Sequence, residues 1–177
     1  MLKVARELLG MSQNELADEL DLERRAVQRA EALYPSLSLE RQQIFTEYFL
    51  TRGMRFSAPS PERTGWGIAE IFDLGETLVP SRFIRAARIG LNRSQEALGN
   101  DADLGTVTIR RIEAADETVQ NETRLYLITY LEKEGVAFLM PNGTRGWEVA
   151  FSKMEAEPSA RHPRFNLQKR KQTMRGE

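Results

Sequence analysis

Positions 24–29 read Arg24-Arg25-Ala26-Val27-Gln28-Arg29. A guanidinium is a planar fork that can donate two parallel hydrogen bonds, to guanine O6 and N7 or to a phosphate. A glutamine amide can pair in the same bidentate way with adenine. In a helix, Ala26, Val27 and Ala30 share one side, leaving Arg24, Arg25, Gln28 and Arg29 on or near the other. That outer side has the chemistry to meet base edges and phosphates. A merely solvated basic helix surface is the plainer alternative.

The same placement recurs further along. Thr106-Val107-Thr108-Ile109-Arg110-Arg111 lies 82 positions after the first run, with Ile109 and Ile112 at the inward spacing. Gln13 and Gln95 are also 82 apart, each directly after a serine. Residues 2–60 in fact match residues 84–142 without a gap, through pairs such as Ala5/Ala87, Arg6/Arg88, Leu16/Leu98, Asp21/Asp103, Glu31/Glu113, Tyr48/Tyr130 and Gly53/Gly135. Gly65-Trp66 then recurs at Gly146-Trp147, one residue out of register. Self-similarity at a fixed offset means one structural unit used twice. Each unit, of about 70 residues, has the size of a small domain.

The elements that must hold these residues follow from periodicity. Leu2, Ala5, Leu8 and Leu9 form a helical apolar stripe that ends at Gly10. Ser12-Gln13-Asn14-Glu15 is a capping box opening a second helix, with Leu16, Ala17 and Leu20 inward. Asp21-Leu22 makes a tight turn into a third helix of roughly residues 23–32. A fourth helix starts at Ser38 and stops at Gly53, followed by strands at 54–56 and 67–71 around the Ala58-Pro59-Ser60-Pro61 loop. The second unit repeats this order, with Ala97 in place of the capping glutamate and a poor helical run at Gly99-Asn100-Asp101. Its last elements are a helix from about Asn121 to Lys133 and strands at 136–139 and 147–151. Glu31 and Glu113 are expected to pair with Arg6 and Arg88, because both partners recur together. Trp66 and Trp147 read as hydrophobic anchors. The aromatic stripe Phe45, Tyr48, Phe49, Tyr126 and Tyr130 reads as core or packing between the units.

On these stretches the chain resembles the Cro/repressor-like (XRE-type) helix-turn-helix family. The residues carrying the likeness are Ala5-Arg6-Glu7-Leu8-Leu9-Gly10-Met11-Ser12-Gln13-Asn14-Glu15-Leu16-Ala17 with Arg24-Arg25-Ala26-Val27-Gln28-Arg29-Ala30-Glu31. In the second unit they are Arg85-Ala86-Ala87-Arg88, Ser94-Gln95-Glu96-Ala97-Leu98 and Thr108-Ile109-Arg110-Arg111-Ile112-Glu113. The likeness covers most of residues 2–151. It implies a mainly α protein with two tandem lambda-repressor-like helix-turn-helix domains, each followed by a short β-hairpin. The implied division is residues 1–73 and 82–152 for the domains, 74–81 for a linker and 153–177 for a basic, partly disordered tail. It also implies a sequence-specific transcriptional regulator, a repressor in the usual case, acting on double-stranded DNA. Gln13 and Gln95 would then contact phosphate. Arg24, Arg25, Gln28 and Arg29, with Thr106, Val107, Arg110 and Arg111, would face the major groove. Gly99 and the acidic turn Asp101-Ala102-Asp103 depart from the family pattern, so the second unit is expected to be a weaker reader or chiefly an interaction module. Two unequal recognition helices imply composite or direct half-sites, and a homodimer would cover up to four of them.

Composition narrows the field. The net charge is −1, and the tail from Lys153 to Glu177 carries seven Lys/Arg against three Glu, so a DNA-binding face must be a local basic patch on an acidic body. There are no cysteines and one histidine, His162, which speaks against disulfides and transition-metal sites. No glycine-rich phosphate loop, nucleophile elbow or convergent catalytic set is visible, so no cofactor and no enzymatic activity are expected. No signal peptide and no apolar run of about 20 residues is evident, giving the expectation of a cytoplasmic protein without a membrane partner. The competing function is a protein-interaction module, an antiactivator or antitoxin, in which one or both domains bind a protein partner.

Overall fold

The computed structural model describes residues 1–33, 37–59 and 65–152. The tail 153–177 with His162, and residues 60–61 of the proline-bearing loop, lie outside the described residues. The protein is mainly helical with a small antiparallel sheet. The first repeat forms α1 (Leu2–Leu8), α2 (Gln13–Glu19), α3 (Arg24–Leu33), α4 (Leu39–Thr51), β1 (Met54–Ser57) and β2 (Gly67–Glu70). The second forms α5 (Ser81–Gly90), α6 (Gln95–Asp101), α7 (Thr106–Glu113), α8 (Asn121–Lys133), β3 (Val136–Leu139) and β4 (Glu148–Phe151).

Local chemistry accounts for the element ends. Ser12 Oγ accepts from the Glu15 amide at 3.2 Å while Glu15 accepts from the Ser12 amide at 2.6 Å, closing the capping box at α2. At α6 only half of it remains, Ser94 Oγ accepting from the Ala97 amide at 3.0 Å. The α2–α3 and α6–α7 turns each place an aspartate in the left-handed region, Asp21 at φ 52° and Asp103 at φ 53°. Short polar residues tolerate that region best after glycine. Gly99 is buried, and a Cβ there would lie 2.8 Å from the Leu104 carbonyl oxygen. The residue that weakens α6 as an isolated helix thus lets the following turn close against it.

The core is one cluster spanning both repeats. Leu2, Ala5, Leu16, Val27, Phe45 and Phe49 of the first are matched by Ile84, Ala87, Leu98, Ile109, Leu127 and Leu131 of the second, all buried. Phe45 and Phe49 are buried, Tyr48 and Tyr130 pack partly buried against the core, and Tyr48 stands edge-on to Phe49 with centroids 5.4 Å apart. Tyr126 is 50% exposed, because Leu127 takes the inward position of α8. The two tryptophans also diverge: Trp147 is buried and its Nε1 donates to the Glu76 carbonyl at 3.0 Å, whereas Trp66 is exposed. The stretch 74–81 is therefore fastened to the second repeat, and α5 begins within it.

Both hairpins join in one sheet of order β1-β2-β4-β3. β2 and β4 run antiparallel with Gly67 opposite Ala150, Ile68 opposite Val149 and Ala69 opposite Glu148. All four residues of each central strand are buried. α1 packs along α5 more closely than any other two helices pack.

Candidate nucleic-acid interface

α3 is positioned from beneath by a buried polar clamp. Arg6 on α1 donates through Nε to Glu31 Oε1 at 2.6 Å and through Nη1 to the Met11 carbonyl at 2.5 Å. Gln13, the first residue of α2, donates through Nε2 to the other Glu31 oxygen at 2.7 Å. Three elements are thereby tied together: the loop after α1, the start of α2 and α3. Burial alone would depress the Arg6 guanidinium, but hydrogen bonds and charge from Glu31 and Glu7 outweigh it and hold its pKa above the ordinary value. The clamp recurs in the second repeat, Arg88 Nε meeting Glu113 Oε1 at 2.6 Å and Gln95 Nε2 meeting Glu113 Oε2 at 2.8 Å. These are the ion pairs expected from the recurrence of both partners.

The residues proposed to read DNA stand on the outer sides of these frames. Arg24, Arg25, Gln28 and Arg29 are all exposed on α3. Arg24, Arg25 and Arg29 make no ion pair or side-chain hydrogen bond among the described residues, so three guanidinium forks remain open. Gln13 and Gln95 are half-buried, and each already spends an amide hydrogen on the clamp.

α7 offers a different surface. Val107 is 65% exposed, Thr106 is half-buried, and Arg110 lies beside Gln95, its Nε 3.3 Å from Oε1. Arg111 is held by the loop after α7: its Nε donates to Asp116 Oδ2 at 2.8 Å and its Nη2 to Thr118 Oγ1. Thr118 and Arg111 together hold the Asp116 carboxyl well below the usual carboxylate range.

Taking one helix at a time misses the ground between α3 and α7. α3 leans on α1, α7 on α5, and α1 on α5. Lys3, Glu7, Arg85, Arg88 and Arg93 line an open groove on the α1–α5 pair. An adjoining groove shares Arg85 and Arg88 and adds Gln95 and Arg110, so the basic surface runs on to the outer side of α7. The available signal was recurrence: Lys3 and Arg85 occupy equivalent positions and both are cationic.

No helix among the described residues is long and apolar enough to cross a membrane. Among the described residues no group of three or more His, Cys, Asp or Glu could hold a metal ion. Comparison of the chain with family models, curated proteins and solved structures gives no match.

Proposed function

We propose that the protein is a sequence-specific DNA-binding regulator of transcription, acting as a repressor in the cytoplasm, with α2–α3 and α6–α7 as its two helix-turn-helix units. Each unit with its hairpin then corresponds to one lambda-repressor-like domain. The observation that carries this reading is the open arginine set Arg24, Arg25 and Arg29 on a helix fixed by the Arg6–Glu31–Gln13 clamp. Free guanidinium forks on a rigid helix suit bidentate contacts to guanine edges and phosphates, and a fixed frame lowers the entropy lost on binding.

The test is binding of the full chain to fluorescent duplex DNA over a salt series. Arg24→Ala combined with Arg25→Ala is expected to lower affinity about 30-fold or more, since each good bidentate pair contributes about 1–3 kcal/mol. It also flattens the dependence of log K on log salt by roughly 0.9 for each phosphate that the variant no longer neutralises. Wild-type binding that ignores salt and these arginines sinks the reading. A second reading, docking of a protein partner on the second repeat, is favoured by the exposed Leu78, Leu125 and Met140, which line one groove with Ile128 and Phe138. It predicts that arginine changes on α3 leave function intact.

A further inference from the structure

The two repeats meet through like surfaces. In the central strand pair Ile68 faces Val149, which are equivalent residues of the two repeats. The flanking bonds are reciprocal: the Glu70 amide donates to the Trp147 carbonyl at 2.9 Å and the Phe151 amide to the Trp66 carbonyl at 3.0 Å. The helices obey the same rule. Arg85 Nη2 meets Glu7 Oε2 at 2.7 Å, and the equivalent positions, Lys3 and Ile89, line the same groove. Residue i of one repeat meeting j of the other, while the equivalent of j meets the equivalent of i, is the signature of a twofold axis. A translational relation would bring unlike surfaces together. The axis passes between Ile68 and Val149; on the α1–α5 pair the Glu7–Arg85 contact sets it at the level of the equivalent Ala5 and Ala87, both fully buried.

That axis also emerges through the polar groove, because Lys3, Glu7, Arg85 and Ile89 form two equivalent pairs around it. The adjoining groove carries this face on to Gln95 at the start of α6 and Arg110 on α7. The twofold carries it equally on to their equivalents, Gln13 at the start of α2 and Gln28 on α3. Both helices thus border one face, in opposite directions.

We infer that one chain, as an internal pseudo-dimer, reads a single imperfect inverted repeat of duplex DNA with two unequal halves. The inference rests on the DNA-binding reading above. α3 takes the half bearing guanines, through Arg24 and Arg25. α7 takes a half recognised chiefly through thymine methyl groups, against which the exposed Val107 and the Thr106 methyl can pack, with Arg110 beside them. The contact that two separate subunits would supply is made within one chain, so the stoichiometry is one chain per operator.

The experiment is selection of the full chain on a randomised duplex pool, followed by the mass of the complex on the selected duplex. The expected product is an inverted repeat with one guanine-bearing and one thymine-bearing half, bound by one chain. Arg24→Ala should weaken binding about tenfold and blur preference only in the guanine half. Val107→Ala should blur only the other half, by about two- to fivefold. A selected direct repeat, a lone half-site, or a palindrome bound by two chains overturns this inference and leaves the DNA-binding reading standing. A pool that yields no enriched sequence overturns both.

Discussion

The two repeats share a frame and differ in what the frame displays. Their helices and strands succeed one another in the same order, and the clamps under α3 and α7 use the same Arg, Gln and Glu positions. Above the clamp they part. α3 carries three open arginines, whereas α7 begins with threonine and valine, and one of its two arginines is held by Asp116. A buried frame is constrained by packing and by the cost of an unpaired charge. An outer helix surface is constrained by neither, so duplicated units diverge there first. The lesson is that fold and ligand preference are written in separate residues of the same helix.

The sharpest way to break this comparison is to attack the frame. Glu31→Ala leaves the buried Arg6 guanidinium facing only Glu7 and the Met11 carbonyl, and removes the acceptor of Gln13. Breaking one side of a buried ion pair costs about 3–5 kcal/mol. Glu113→Ala should cost a similar amount, because the side chains of Arg88 and Glu113 are as deeply buried as those of Arg6 and Glu31. Urea denaturation of the two variants measures both. Costs that differ by more than about 2 kcal/mol would show that the frames are not equivalent.

A smaller effect probes where the repeats do differ inside. A Cβ on Gly90 would lie 2.2 Å from the Phe151 ring, which packs directly against α5. The equivalent positions are Leu8 and Glu70, and Glu70 turns its carboxylate to Arg82, with Oε1 2.7 Å from Nε. The contact of α5 with the sheet thus has an apolar side, Phe151 on Gly90 within the second repeat, and an ionic side, Glu70 of the first repeat on Arg82. Gly90→Val overpacks the apolar side and should destabilise by about 1–3 kcal/mol. Leu8→Val, which adds no bulk, should cost no more than about 1.5 kcal/mol. A stable Gly90→Val variant would mean that the Phe151 ring does not fix α5 on the sheet.

Much of this frame was legible in the sequence because repetition reads every position twice. The Arg6–Glu31 and Arg88–Glu113 pairs were foreseeable since both partners recur at one offset, and α8 and β3 start and stop at residues whose periodicity marks them. The twofold was not legible. β2–β4 pairing joins residues about 80 positions apart, and no local pattern encodes which edges meet. Trp66 and Trp147 looked alike in sequence, yet only Trp147 is buried, because the stretch before α5 covers it and offers the Glu76 carbonyl. Tyr126 looked inward because aromatics suggest core, but Leu127 holds the inward register. The candidate site was legible as residue types, though not as availability. Arg29 and Arg111 are equivalent in sequence, and only the folded loop shows that Arg111 is engaged.

That engagement yields the finest test of the comparison. Asp116→Asn removes the charge that holds Arg111 and keeps an oxygen for the Thr118 amide, which donates to Asp116 Oδ1 at 2.9 Å. Lowering the pH is a poor substitute. The native carboxyl titrates far below its ordinary value of about 3.9, so its pairing with Arg111 is fully present above that value and disappears only as the pH falls towards the depressed one. In the variant Arg111 can swing to a phosphate, so the salt slope for duplex DNA should steepen by about 0.9 and affinity at low salt should rise a few-fold. Adding Arg111→Ala should erase the gain, and Arg29→Ala in the first repeat should lower the slope by a similar amount. An Asp116→Asn variant with unchanged salt dependence would show that α7 is weak for a reason other than the capture of Arg111. The asymmetry between the repeats would then lie in Thr106 and Val107 alone.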